Sequence, residues 1–477
     1  MKKSARSNKT ESTWIVGAHI VTQNAKRDVF LGNIQIVDGR IAKITKTTKN
    51  APKNIGKNTR VIQAQGKVVL PGFVQAHIHL CQTLFRNQAD DLELLDWLSK
   101  RIWVMEAAHT HETLKTSALL GIHELLSSGT TCILDMGTVR HTSAIFEAVR
   151  DTGIRASVGK CLMDHPKTTP PNLRESTRDA LAEAKLLHKI WHGSQDDRIR
   201  VSYAPRFVIS CTEELLSEVA RLSREQDAII HTHASENLKE IQMVKKLVNC
   251  ENIEYLDQLG LTSKNLVLAH CIWLKPNEME LLRRSGTHVV HCPSSNMKLA
   301  SGLARVPEMQ KKGINVALGA DGAPCNNNLN IFGEMRLAAL LHKPGNGPKS
   351  MRAQTVLDMA TRDGAKALGW FDDIGSIEVG KKADLVALDL MQPENTLPAP
   401  ALFSARKSGP KSTDTDRLRE AIASSIVYSA QPSHVEWTMV DGKQVYDRKK
   451  GVNAIARAAL VKQVHKAQLE IWKKIQS

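Results

Sequence analysis

Apolar and polar positions alternate with period two along the first part of the chain, in TWIVGAHIVT (13–22), NIQIVDGRIAKI (33–44) and TRVIQAQGKVVL (59–70). That period marks strands with one buried face. Asp38-Gly39, set between two such runs, predicts a hairpin turn. The same texture returns in GSIEVGKKADLVALDL (375–390) and in HVEWTMVDGKQVYDRKKG, where Asp441-Gly442 marks a second turn. Two β-rich flanks predict one small β-sandwich composed of residues 13–70 and 375–450.

The span between them, 71–374, follows a different rhythm. Short apolar runs occur at KVVLPGF (67–73), TTCILDMG (130–137), IRASVGKCLM (154–163), IRVSYAPRF (199–207), AIIHTHASE (228–236), NLVLAHC (265–271), THVVHC (287–292) and INVALGADG (314–322). Helical patterns such as EELLSEVARLSRE (213–225) and NEMELLRRSG (277–286) separate them. Eight strands, each followed by a helix, predict an α/β fold with a (β/α)₈ TIM barrel over 71–374. A further helix is expected over 351–368, and ENTLPAPA (394–401) is expected to be a loop. The last segment, 451–477, is an amphipathic helix expected to pack on the barrel or on a partner chain, which leaves a homo-oligomer open.

Composition narrows the class. The 477 residues exceed one small core, and 42% hydrophobic with 24% charged content is ordinary for a globular protein. A net charge of +16 raises nucleic acid as a partner, but the cations are dispersed, aromatics are 4%, and no nucleic-acid-binding signature occurs, so none is expected. No run of eighteen apolar residues occurs, so no membrane span is expected. The basic start MKKSARSNKTESTW lacks an apolar stretch behind it and is expected to be a frayed, disordered tail over 1–12, not a secretory signal. Eight scattered cysteines without a CxxC pair predict reduced thiols and a cytoplasmic location.

Barrel enzymes carry their chemistry at the C-terminal ends of the strands. Strand one ends in His77-Ile-His79, strand five in His231-Thr-His233-Ala-Ser-Glu236, strand six in His270 and strand eight in Asp321. Histidines two apart on a strand share a face, so His77 and His79 can converge on one ion. Imidazoles plus a carboxylate suit zinc, iron and related metals. One HxH among eighteen histidines is weak evidence. HxH, HxxE, AHC and an Asp, each at the mouth of a different strand and in this order, are strong evidence together.

The segments PGFVQAHIHL, HTHASE, LAHC, HCPSSNMKL and GADGAPCNNN resemble the amidohydrolase superfamily. The resemblance is strongest to the branch of S-adenosylhomocysteine, methylthioadenosine and 5′-deoxyadenosine deaminases, beside guanine deaminase and triazine hydrolases. It covers almost the whole chain and implies metal ligands His77, His79, His233 and Asp321, with His231 a packed neighbour on the same strand face. Two-metal relatives carry a lysine at the end of strand four; VSYAPRFV has none, so one divalent cation is implied, zinc before iron. Such a cation lowers the pKa of its water toward 7. The resemblance then implies that Asp321 accepts that water's proton while His270 holds the developing tetrahedral centre. Glu236 would serve a ring nitrogen and the leaving ammonia as proton carrier. The alternative for Glu236 is a carboxylate that satisfies the backbone at a helix start.

The implied substrate is a small purine-type molecule, and its pocket residues point two ways. Glu106 in KRIWVMEAAHT matches the position that binds ribose hydroxyls in adenosine-type enzymes, and Cys325 with Asn326, Asn327 and Asn328 matches a loop lining the base. Ala204-Pro205-Arg206-Phe207 departs from the APH of those enzymes and is similar to guanine deaminase, whose arginine contacts the base. Lys160 and Arg174 are placed at the pocket entrance or, as ordinary cations, in solvent. The implied activity is metal-dependent deamination of an adenine nucleoside such as 5′-deoxyadenosine or methylthioadenosine. Guanine deaminase or a triazine-type hydrolase, and beyond these a non-catalytic scaffold, are the alternatives.

Overall fold

The computed structural model describes residues 12–47, 59–397 and 412–476. The expected tail over 1–12 lies outside the described residues except for Ser12, as does the second half, 398–401, of the loop expected over 394–401, whose first half carries the short strand Asn395–Thr396.

The N-terminal segment forms β1 (Ser12–Val21), β2 (Val29–Val37), β3 (Arg40–Lys46), β4 (Thr59–Gln63) and β5 (Val68–Pro71). The barrel strands follow as β6 (Phe73–His79), β7 (Thr130–Met136), β8 (Arg155–Leu162), β9 (Ile199–Pro205), β10 (Ile230–Ala234), β11 (Leu266–His270), β12 (His288–His291), β13 (Val316–Leu318) and β14 (Asp321–Gly322). The C-terminal segment adds β15 (Leu385–Leu388), a small hairpin of β16 (Met391–Gln392) and β17 (Asn395–Thr396), then β18 (Val435–Val440), β19 (Lys443–Asp447) and β20 (Gly451–Val452).

Both flanks join in one sheet of order β20-β19-β18-β15-β5-β1-β2-β3, with β4 beside β1. It encloses a core of its own, including Ile15, Ile34, Ile36, Leu385, Trp437 and Met439. The turn between β2 and β3 has both Asp38 and Gly39 at positive φ (48° and 79°), which is what a two-residue hairpin turn requires.

The second sheet runs β13-β12-β11-β10-β9-β8-β7-β6-β14, all parallel. β13 and β14 are the two halves of the eighth strand: the first pairs β12 and the second pairs β6, which closes the ring. A Cβ on Gly319, in the break between them, would lie 2.7 Å from the His77 carbonyl oxygen, so glycine is what lets strand eight pass this close to strand one. β6, β7 and β8 are buried along their entire length. Helices cover their outer faces, which is why these strands read as apolar runs without alternation.

The expected first barrel strand, 67–73, proves to be two elements. Val68–Pro71 belongs to the mixed sheet of the flanks, parallel to β1 and antiparallel to β15, and the barrel begins at Phe73. Between them the Gly72 N–H donates to the Asp384 carbonyl (2.9 Å) and the Phe73 N–H to the Gly129 carbonyl (3.0 Å), so the chain changes sheets within one residue. The last helix, Arg457–Gln476, buries Leu460, Ala467 and Ile471. Its Gln468 side chain donates to the Leu84 carbonyl (3.0 Å), docking it beside the turn that follows β6. No helix of the described residues is long and apolar enough to cross a membrane.

Candidate active site

The strand ends bring His77, His79, His233 and Asp321 together, with one ligand atom from each lying within 4.8 Å of all the others. Each ring is fixed from behind. His79 donates its Nδ1–H to the Met136 carbonyl (2.9 Å) and His233 donates its Nδ1–H to the Arg206 carbonyl (2.7 Å). A carbonyl can only accept, so in both neutral rings Nε2 is a lone pair. These two Nε2 atoms face each other at 3.2 Å, and His79 Nε2 is 3.4 Å from Asp321 Oδ1. His77 Nε2 lies 3.2 Å from the same carboxylate oxygen, and it is buried without any hydrogen-bond partner. Lone pairs and a carboxylate directed at one point repel unless a cation sits among them, so this donor set fits a divalent metal.

Electrostatics keep the set in its ligating form. Burial pushes His79 down to about 3 and also lowers His77 and His233, so the rings are neutral at pH 7. Burial alone would raise Asp321, but His77, His270 and His79 around it hold its carboxyl well below the ordinary range. Ser295 Oγ donates to Asp321 Oδ2 (2.7 Å) and the Gly322 N–H donates to Oδ1 (2.8 Å). Asp321 and His270 both sit at positive φ (62° and 72°), a conformation that costs a non-glycine residue on the order of 1 kcal/mol and that clusters at working sites.

Glu236 and His270 stand over the cluster. His270 Nδ1 pairs with Asn296 Oδ1 (2.8 Å), which aims Nε2 at Glu236 Oε2 (3.5 Å) and Asp321 Oδ2 (3.8 Å). Glu236 Oε1 accepts from Ser301 Oγ (3.3 Å), and burial raises its pKa to about 7. The helix-start role that was the alternative for Glu236 belongs to its neighbours. The Glu240 carboxylate takes the Glu236 N–H (2.8 Å) and the Asn237 N–H (3.3 Å), while Asn237 Oδ1 takes the Lys239 N–H (2.8 Å). The Glu236 side chain is left to the cavity.

That cavity has an apolar wall of Leu94, Trp97, Leu98, Phe207 and Leu299, with Gln82 and Arg206 as its polar members apart from the cluster. Glu106 is not on the wall. Its carboxylate lies behind Arg206, which donates through Nη1 (2.7 Å) and Nη2 (3.3 Å), and Gln82 Nε2 donates to it at 2.9 Å. Burial would lower the Arg206 guanidinium, yet the Glu106 charge raises it above its ordinary value, so it stays charged in the dry wall. Cys325 is fully buried beneath Asp321 and its thiol donates to the Gly322 carbonyl (3.1 Å). Asn326 is spent on the Ala320 carbonyl and Glu334, and Asn327 pairs with Asn87 and Lys298, so these two brace the loop.

Of the two outlying cations, Lys160 differs from a solvated cation and Arg174 does not. Lys160 is 1% exposed rather than solvated, paired with Glu175 (2.9 Å) and Glu183 (2.8 Å). Arg174 donates to the Pro166 carbonyl (2.5 Å), away from the cavity. Sequence reasoning passed over Gln82, Ser295, Asn296 and Ser301. A positional signal existed for Gln82, three residues after His79, whereas Ser295, Asn296 and Ser301 follow β12, whose end carries no candidate ligand.

The Amidohydrolase family model matches residues 68–445. A 5′-deoxyadenosine deaminase of Methanosarcina mazei is 36% identical over 455 residues, 93% of this chain and 97% of that protein. A 5-methylthioadenosine/S-adenosylhomocysteine deaminase of Acetivibrio thermocellus is 38% identical, over 91% of this chain and 94% of that one. Among solved structures, an adenosine deaminase of Xanthomonas campestris with bound zinc superposes with a TM-score of 0.84 at 29% identity, covering 97% of this chain and 98% of that chain.

Proposed function

Since the chain belongs to the amidohydrolase family, we propose that it hydrolyses the exocyclic C–N bond of an adenine nucleoside, releasing ammonia and the inosine analogue. The observation that carries this reading is the pairing of a lone-pair cluster suited to a metal with a buried carboxyl, Glu236, that is still partly protonated at neutral pH.

His77, His79, His233 and Asp321 would hold the cation, zinc first and iron second for such a ligand set. A cation held there supplies Lewis acidity that brings the pKa of water from about 15.7 toward 7. Asp321 Oδ2 then accepts the attacking water's proton. His270, its ring locked by Asn296, directs Nε2 at the carbon as it becomes tetrahedral. Glu236 delivers its proton to the adjacent ring nitrogen, as a buried acid with pKa near 7 is suited to do. The proton on Asp321 passes to the amino group as the C–N bond breaks, and the hydroxyl left on the carbon returns its proton to Glu236 as it becomes the carbonyl, so ammonia leaves neutral and both carboxyl groups are reset.

The 5′ side of the substrate is small and uncharged in this reading. The wall there is apolar, and the charge of Arg206 is already matched by Glu106. A charged amino-acid tail would find no free counter-charge on it. 5′-Deoxyadenosine and methylthioadenosine fit these terms, with the reaction in the cytoplasm, where the eight unbridged thiols stay reduced.

One observation favours a second reading. Arg206 and Gln82 reach the wall while Glu106 does not, which suits a purine carrying a carbonyl oxygen, guanine, as well as a nucleoside. Steady-state ammonia release from 5′-deoxyadenosine, methylthioadenosine, S-adenosylhomocysteine, adenosine and guanine decides. The highest kcat/KM is expected for one of the first two, and guanine outrunning every adenine nucleoside would overturn the nucleoside reading.

A further inference from the structure

The chemistry above leaves His231 without a task, although it stands two residues before the ligand His233 on β10. β10 faces β6 across the barrel lumen. There His231 Nε2 lies 2.8 Å from His77 Nδ1, with ring centroids 4.9 Å apart and planes at 84°. Both rings are fully buried.

A hydrogen bond between two imidazole nitrogens needs one N–H and one lone pair, so only two proton arrangements exist. If His231 donates, the His77 proton sits on Nε2, inside the cluster, where it finds no hydrogen-bond partner. His77 then has no lone pair for a cation. If His77 donates, its Nε2 lone pair joins those of His79 and His233, and the His231 proton moves to Nδ1. That Nδ1 is likewise buried and unpartnered, so either arrangement leaves one N–H without an acceptor. Only the second lets the cation satisfy His77 Nε2. We propose that His231 is a positioning residue for the metal: by accepting the His77 Nδ1–H it fixes that ring's tautomer and rotation, so that Nε2 presents its lone pair to the ion. His79 and His233 lean on backbone carbonyls of neighbouring segments for the same service, whereas His77 Nδ1 meets His231 instead.

This inference rests on the cation site of the proposed function, and the experiment separates the two. In the full chain, His231→Leu fills the volume without an acceptor, and His231→Gln keeps a carbonyl that can accept. Zinc affinity is read by competition with a chromophoric chelator, the visible spectrum is taken on the cobalt(II)-loaded proteins, and melting is followed on the metal-free forms. His231→Leu is expected to bind zinc about 10- to 100-fold more weakly, the range seen when a partner of a ligating histidine is lost. Its cobalt spectrum should shift, its metal-free melting should stay close to the parent's, and KM at saturating zinc should be unchanged. His231→Gln should recover most of the affinity. Parental zinc affinity in His231→Leu, or equal weakening in Leu and Gln, overturns the role. His79→Ala serves as the control: if it too keeps zinc, the four-residue site fails and His231 with it. Should the Leu variant not accumulate, His231→Met, flexible and without a strong acceptor, is measured against Gln in its place.

Discussion

The two ends of the barrel both bury charge, and they treat it differently. At the N-terminal ends of the strands Arg155 is wholly enclosed, and its donors are matched: Nε and Nη2 grip the Asp384 carboxylate at 2.8 and 3.0 Å, and Nη2 also reaches Asp441 at 2.5 Å. The Asp441 N–H returns a bond to Asp384 (2.9 Å), and Lys382 pairs with Asp441 at 3.3 Å. This network ties β8 to the sheet built from the chain's two flanks. At the C-terminal ends the burial is as deep, but the set is left incomplete: lone pairs face lone pairs, His77 Nε2 has no partner, and two of the residues sit at positive φ. A matched network holds two units together. An unmatched one is held in place by its surroundings and waits for a ligand.

That contrast predicts a crossed pair of variants. Arg155→Met removes one side of a buried ion pair and leaves Asp384 enclosed without its counter-charge, so about 3–5 kcal/mol of stability should be lost in urea unfolding. Turnover of the fraction still folded should stay within about two-fold of the parent, because nothing at the mouth has moved. Glu236→Gln should do the reverse. Its zinc content should be parental and its unfolding midpoint at pH 5 close to the parent's while kcat falls by about 10²-fold or more, the scale of losing a positioned proton carrier. Activity within a few-fold of the parent would take Glu236 out of the mechanism, and a normal midpoint in Arg155→Met would end the comparison.

How far each end was legible in the sequence follows from the same difference. Ligands at the mouth come from short motifs, because each strand supplies one or two residues at its own end, and HIH, HTHASE, AHC and GADG can be read one at a time. Their supports were less visible. Asn296 fixes His270 and Ser295 fixes Asp321 only because the loop after β12 curls back over the mouth, and no spacing in one chain encodes that return. The basal network was invisible: Arg155 reads as a polar break at the start of an apolar run, and its partners are more than 220 positions away. The barrel and both hairpin turns were legible from period and turn chemistry. The passage from one sheet to the other at Gly72 was not, because an uninterrupted apolar run hides a change of partner strand.

A second prediction sharpens the contrast through pH. Burial raises the Glu236 pKa from 4.5 to about 7 in the folded, metal-free protein. The unfolded chain ionises this group near its ordinary value. Below about pH 4.5 both states hold the proton and the contribution to stability is full. As pH rises toward 7 the unfolded chain gives up its proton and the folded one does not, so stability falls, and it levels off once the folded group ionises as well. The shift corresponds to about 3 kcal/mol. Urea unfolding of metal-free parent and Glu236→Gln at pH 5 and pH 8 should therefore show the parent losing ground by that order over the interval, and parallel curves would mean the carboxyl is not dry.

The smallest effect concerns the one place at the mouth where charge is matched in the basal manner, the Glu106–Arg206 pair. Sequence resemblance assigned Glu106 to ribose hydroxyls on its own account, whereas its carboxylate sits behind Arg206 and is occupied by it and by Gln82. If the pair acts as a unit, Arg206 meets the substrate and Glu106 holds Arg206 in place. Glu106→Gln should then lower kcat/KM for 5′-deoxyadenosine by about 2 kcal/mol, the cost of a charge-supported hydrogen bond. Arg206→Gln should do about the same, and the double variant should be no worse than the poorer single, since once one partner is gone the other has nothing left to lose. Two independent contacts would add instead, to about 4 kcal/mol in the double variant. The cycle separates the two: additive losses would return Glu106 to the substrate as a contact of its own, and non-additive losses leave Arg206 as the group the substrate meets.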